Sequence, residues 1–203
     1  MNTLLMLIKY LEHIWNICGD LKVVALLLGM QTGYTKHMCF HCLWNSRDDK
    51  HHYIVKNWTP RNLLAVGQHN VQHVPLVDHK IFLPPFHIKL GLMKQFVAAM
   101  DQTNRGFQYL KGKFRKMKTD TKLKAGVFVG PEIRKLIQDP LFRLELTEQE
   151  QAAWDAFVLV HNFLGNHRAD NYVELVDNLI TAYQHLGCHF NLNMMRDYCW
   201  FLM

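Results

Sequence analysis

The sequence has no apolar run long enough to cross a bilayer. Its opening stretch, Met1 to Ile8, is apolar but only about two helical turns long, and it lacks a cleavage site; it reads as neither a membrane span nor a secretion signal. Low-complexity and linker-like segments are missing too, so disorder is not the default. Acidic residues are in deficit, with 17 Asp and Glu against 23 Lys and Arg, and the 13 histidines add to the formal charge of +6 in acid. The mildly cationic surface suits an anionic partner. Cysteines number five, an odd count in a chain without a signal pattern, which argues against a disulfide framework and for a reduced, intracellular compartment. What is present is ordinary for a globular protein, with 49% hydrophobic and 20% charged residues. Its length of 203 residues suits a single domain folded round one centre.

The most informative stretch runs from Gly33 to Arg47 and contains Cys39-Phe40-His41-Cys42. Two cysteines separated by two residues can bring their sulfurs within roughly 4 Å of each other, as tetrahedral zinc requires. His52, ten residues after Cys42, and His87, just after Pro84-Pro85, are the imidazoles that complete a Cys2His2 set with Cys39 and Cys42. Two other readings stand beside zinc: a redox pair, which needs a strand before it and a helix after it, and two unconnected core cysteines.

Ahead of this motif, Ile14 to Cys18 is a short apolar run that reads as a buried strand ending at Gly19-Asp20. Asp20 stands where α/β folds place a metal-binding or catalytic carboxylate, and equally where an N-cap opens the helix Leu21 to Leu28, closed by Gly29. After the motif, Asp48 to Val77 reads as loop-rich, with Trp58 and Leu63-Leu64 as anchors and a short helix after Pro60, and Ile81 to Leu83 as a second strand. Pro84-Pro85 starts a helix from Phe86 to Met100 that is apolar on two faces and central to the fold.

Eight basic residues follow in close order: Arg105, Lys111, Lys113, Arg115, Lys116, Lys118, Lys122 and Lys124, with Phe107, Tyr109 and Phe114 among them. Such a stretch neutralises phosphates and stacks bases if its rings are exposed; it is a solvated helical hairpin if the rings point inward. Pro131 opens a short helix that ends before Pro140. Thr147 and Glu150 form a capping box at the start of a helix carrying Trp154, Phe157, Val158, His161 and Leu164 on one side. His161 reads there as a satisfied core histidine. A last helix from Arg168 to Gly187 completes an antiparallel hairpin.

Several blocks carry a resemblance: Ile17-Cys18-Gly19-Asp20-Leu21-Lys22, the run from Gly33 through Cys39 and Cys42 to Arg47, Leu83-Pro84-Pro85-Phe86-His87-Ile88-Lys89, Gly126 to Leu136, and Phe163-Leu164-Gly165-Asn166-His167. Over nearly its whole length the chain resembles a family of uncharacterised, multi-copy animal proteins, and that family resembles DNA-transposon-derived proteins with an RNase H-like DDE core. The resemblance implies that Asp20, after the first strand, is a catalytic carboxylate and that Asp78 is a second, together holding Mg2+ for phosphoryl transfer. The family's segment between the Leu186-Gly187-Cys188 block and Asp197-Tyr198-Cys199-Trp200, where a third acid is expected, is missing here. The N-terminus also reads as beginning inside the family's domain.

The leading expectation is therefore a truncated, catalytically inert, zinc-binding domain with DNA as its partner. Its fold class is α+β and predominantly helical: a remnant of an RNase H-like core at 1–32, a zinc-binding loop at 33–60, and a helical part at 84–203. No membrane and no small-molecule substrate is expected, and the DNA reading implies a nuclear location. The alternatives are a Mg2+-dependent nuclease using Asp20 and Asp78, and an expressed remnant without biochemical activity.

Overall fold

The computed structural model describes residues 7–9, 12–13, 17–33, 35–48, 50–51, 54–55, 58–77, 81–82, 84–114, 128–165, 167 and 169–188. Among these the protein is predominantly helical, with seven helices and a single two-stranded sheet. The chain divides into two compact units, one of described residues up to Pro84 and one from Pro85 onward. The division falls at the double proline.

In the first unit β1, Ile17–Cys18, pairs in parallel with β2, Ile81–Phe82, with Ile17 opposite Ile81 and Cys18 opposite Phe82. Both strands lie where the sequence places them. They are only two residues long, and Cys18 is exposed rather than buried. An RNase H-like sheet needs several more strands than the described residues form. Asp20 caps α1, Leu21–Leu27, its Oδ1 accepting from the amides of Lys22 and Val23 at 2.9 Å each. Val24, Leu27 and Leu28 point into the unit's core with Met30, Trp44 and Val71.

At the end of α1 the chain turns through Gly29, with φ of +64°, and meets the segment that follows Gly67. The amides of Gln72 and His73 both donate to the Gly29 carbonyl, at 2.7 and 3.0 Å, and the Leu76 amide donates to Leu27 O at 2.7 Å. Met30 and Val71 form an antiparallel bridge. A Cβ on Gly29 would stand 2.1 Å from the His73 carbonyl oxygen, so this junction requires glycine for space as well as for its backbone angle.

The second unit is built round α2, Pro85–Ala99, and a hairpin of α6, Glu148–Phe163, and α7, Tyr172–Leu186. Pro85 is the first residue of α2, where the missing amide hydrogen has no helical partner to lose. Leu92, Met93, Phe96, Val97 and Met100 are all buried, in keeping with a helix apolar on two faces. Tyr183 of α7 is fully buried and donates its hydroxyl to Leu92 O at 3.2 Å. Phe96 lies against Trp154, and Trp154 meets Phe142 edge to face at 4.9 Å between ring centres.

The remaining helices are short and held by local signals. These are α3, Arg105–Lys113; α4, Gly130–Ile137, with Pro131 at its second position; and α5, Pro140–Leu144. The sequence reading stopped a helix before Pro140 and assigned none after it. Asp139 accepts from the Leu141 amide at 3.1 Å and caps α5, a proline-initiated turn that apolar periodicity alone does not reveal. The capping box forms as expected: the Glu150 amide donates to Thr147 Oγ1 at 3.3 Å and the Thr147 amide to Glu150 Oε2 at 2.8 Å. Glu150 is only 2% exposed, and its other oxygen accepts from Asn104 at 3.4 Å.

Candidate metal centre and basic surface

Cys39 and Cys42 are both buried and both thiols. The turn that carries them is held by main-chain bonds to the segment beyond it: Leu43 N donates to Thr59 O at 2.8 Å, Arg61 N to His41 O at 2.7 Å, and Cys42 bridges Pro60 in antiparallel fashion. Arg61 then closes the turn with its guanidinium. Nε donates to Cys39 O at 3.1 Å, and one terminal nitrogen donates to His37 O at 3.0 Å and to Asn70 Oδ1 at 3.1 Å. Burial lowers the Arg61 pKa.

The rest of the motif is an ordered loop around this pair. Ser46 donates from Oγ to Thr35 O at 2.7 Å and from its amide to Lys36 O at 2.8 Å, while Asn70 donates to Thr35 Oγ1 at 3.3 Å. His37 approaches Leu43 O through Nδ1 at 3.3 Å, and burial lowers its pKa. Trp44 is buried, and among the described residues from Asn45 to Val55 none forms the helix that a redox pair would open.

Two buried thiols in one turn supply the donor types for half of a tetrahedral zinc set. Among the described residues no third His, Cys, Asp or Glu joins them. His52 lies outside the described residues, and His87 is exposed on α2 of the second unit. Arg61 is the residue that sequence reasoning missed: it lies 19 positions beyond Cys42, where the proline at 60 suggests the start of a short helix that residues 61–77 do not form, and no spacing rule marks it.

The proposed carboxylates fare unequally. Asp20 is the α1 cap, with Oδ1 committed to two amides, and Asp78 lies outside the described residues. In the basic stretch only the part up to Phe114 is described; Arg115, Lys116, Lys118, Lys122 and Lys124 fall outside it. Arg105 clasps Glu145 through two nitrogens, at 2.7 and 2.9 Å. Lys113 pairs with Asp139, which also accepts from Tyr109 Oη at 2.6 Å. Lys111 is half-buried on α3. Phe107 is buried and Phe114 stands edge-on to Phe128 at 5.5 Å, so these two rings pack inside the unit instead of offering platforms for bases.

His161 departs from the expectation of a satisfied core histidine. It is half-buried, and its Nδ1 is enclosed without a hydrogen-bond partner. Heptad-like spacing identifies the side of a helix, not whether a ring nitrogen finds an acceptor there.

Residues 1–77 match the model of a domain of unknown function (DUF8703), and residues 85–165 match that of a second (DUF8704). The two matches lie on either side of the boundary between the compact units. No curated protein and no solved structure matches the chain. Among the described residues no helix is long and apolar enough to cross a membrane.

Proposed function

We propose that the chain is a transposase-derived, zinc-stabilised binding module that neither cuts nor joins DNA. The observation that carries the metal half is the buried pair Cys39 and Cys42, in a turn closed by the Arg61 guanidinium. Zinc held by Cys39 and Cys42, with His52 as a further ligand, crosslinks the loop-rich first unit, where short strands and a single described helix provide little other scaffolding. The inert half is supported by Asp20, whose Oδ1 accepts from two amides at the start of α1 and acts as a helix cap. A net charge of +6 favours a nucleic acid as the partner.

Metal analysis of the purified chain tests the reading. About one equivalent of zinc is expected, lost in both Cys39→Ala and Cys42→Ala. Metal-free protein, or zinc retained in both variants, removes the proposal. On a DNA fragment, binding should weaken steeply with added salt and no nicking should accompany it with Mg2+ present.

A further inference from the structure

A second site is formed by residues that the metal reading does not use. A cleft of about 350 Å3 in the second unit is lined by Phe86 and Lys89 of α2, Gly130, Ile133 and Arg134 of α4, and His161 of α6, with Pro85, Leu164 and Gly165 at its margin. Three cationic or protonatable side chains thus line one small space from three helices. None of the described residues lining it is acidic.

Lys89 is half-buried, and burial together with the neighbouring Arg134 lowers its pKa. Burial also lowers that of His161, with Lys89 and Arg134 adding to the effect and a side-chain hydrogen bond with Asn162 opposing it. Cations crowded without a counter-charge raise one another's energy, and an anion bound among them removes that cost. His161 Nδ1, enclosed and without a partner, is left with unused hydrogen-bonding capacity.

The other wall is apolar. Phe86 is 45% exposed and packs over the Gly130 backbone, so closely that a Cβ there would lie 2.9 Å from its ring. Ile133 and Leu164 continue the surface. A flat ring set against Phe86 while its anionic group meets Lys89 and Arg134 uses both walls, and the volume lies at the small end of ligand pockets.

We infer that this cleft binds a phosphate carried on a flat aromatic group, as in a mononucleotide. Lys89 and Arg134 meet the phosphate, Arg134 through its fork of donors, and Phe86 stacks on the ring. The site lies wholly within the second unit and does not rest on the zinc reading; zinc content and phosphate binding are measured separately.

Titration calorimetry of the full chain tests it with adenosine 5′-monophosphate, inorganic phosphate and adenosine. The mononucleotide should bind more tightly than either fragment, and K89Q with R134Q should weaken it roughly tenfold or more while the thermal midpoint stays near that of the parent. Phe86→Ala should erase the advantage over inorganic phosphate and provides a second reading if the charge variants fold poorly. A thymidine trinucleotide separates sources: tighter binding than the mononucleotide assigns the cleft to a residue of a single strand, weaker binding to a free nucleotide, and either supports the site. No mononucleotide binding at millimolar concentration, equal affinity for inorganic phosphate, or binding unchanged in the double variant overturns it.

Discussion

A single missing methyl group decides how the first unit closes. At Gly29 both the backbone angle and the nearby His73 carbonyl exclude a side chain. Gly29→Ala is therefore expected to cost at least about 1 kcal/mol for the left-handed conformation alone, with the clash added. Urea unfolding of the first unit should show a lowered midpoint, and an unchanged midpoint would mean the junction relaxes freely. Tyr183 makes the corresponding point in the second unit. Its buried hydroxyl bonds a helix carbonyl, and Tyr183→Phe should lose about 1 kcal/mol by denaturant titration.

Chemistry at single residues also separates the cysteines. Burial pushes the Cys188 thiol up to about 12, whereas Cys18 is exposed. Thiolate is the reactive form, so a brief treatment of native protein with iodoacetamide should label Cys18 well before Cys188, as read by peptide mass mapping. The distinction is invisible in the sequence, which placed Cys18 at the end of a buried strand. His161 is another such case: its position on the helix was correct, while the orphaned nitrogen depended on which groups other helices bring beside it.

Elements were legible in proportion to how local their signals are. Thr147 and Glu150, Pro131, Pro85 and Gly187 each fix a helix end through atoms a few residues away, and the helices they delimit stand close to where the pattern puts them. Thr147→Ala should cost about 1 kcal/mol of stability in the second unit, since it frees the Glu150 amide and undoes one half of the capping box. The first unit gave fewer such signals. Its order rests on contacts between distant main-chain segments, Met30 with Val71 and Cys42 with Pro60, which involve no periodicity. The same difference explains why the cysteine turn was found and its Arg61 closure was not.

Between elements, the link of α3 to α5 combines ring packing of Tyr109 against Phe142 with an electrostatic part that responds to pH. Hydrogen bonds from Lys113 and Tyr109 hold the Asp139 carboxylate below its ordinary pKa. A depressed folded value means that its contribution is present above the unfolded carboxylate pKa and is lost as the pH falls through the folded one. Acid titration should therefore weaken the second unit below about pH 4. In Asp139→Asn that part of the acid loss should disappear; an identical acid profile in parent and variant would show that the group contributes nothing.

On the scale of the molecule, two compact units and two separate family matches share one boundary, at residues 77 to 85. The metal reading assigns Cys39, Cys42 and His52 to the first unit, so chelation should lower the melting transition of that unit by far more than the transition of the helical one. Calorimetry with and without a chelator reads this directly. A single transition indifferent to chelator would count against zinc as the organiser. The overall helical class was readable from composition and apolar spacing. The division was not, because chain length sets only a soft expectation for how many centres a fold has.

The contact between Gly29 and the residues from Gln72 onward is made by peptide groups. Replacements among the exposed side chains of Gln72, His73 and Val74 leave those groups where they are, so substitution there should be cheap. A one-residue insertion between His73 and Leu76 would move the Leu76 amide away from the Leu27 carbonyl. This short stretch thus acts as a fixed ruler, tolerant of changes in its lettering and intolerant of changes in its length.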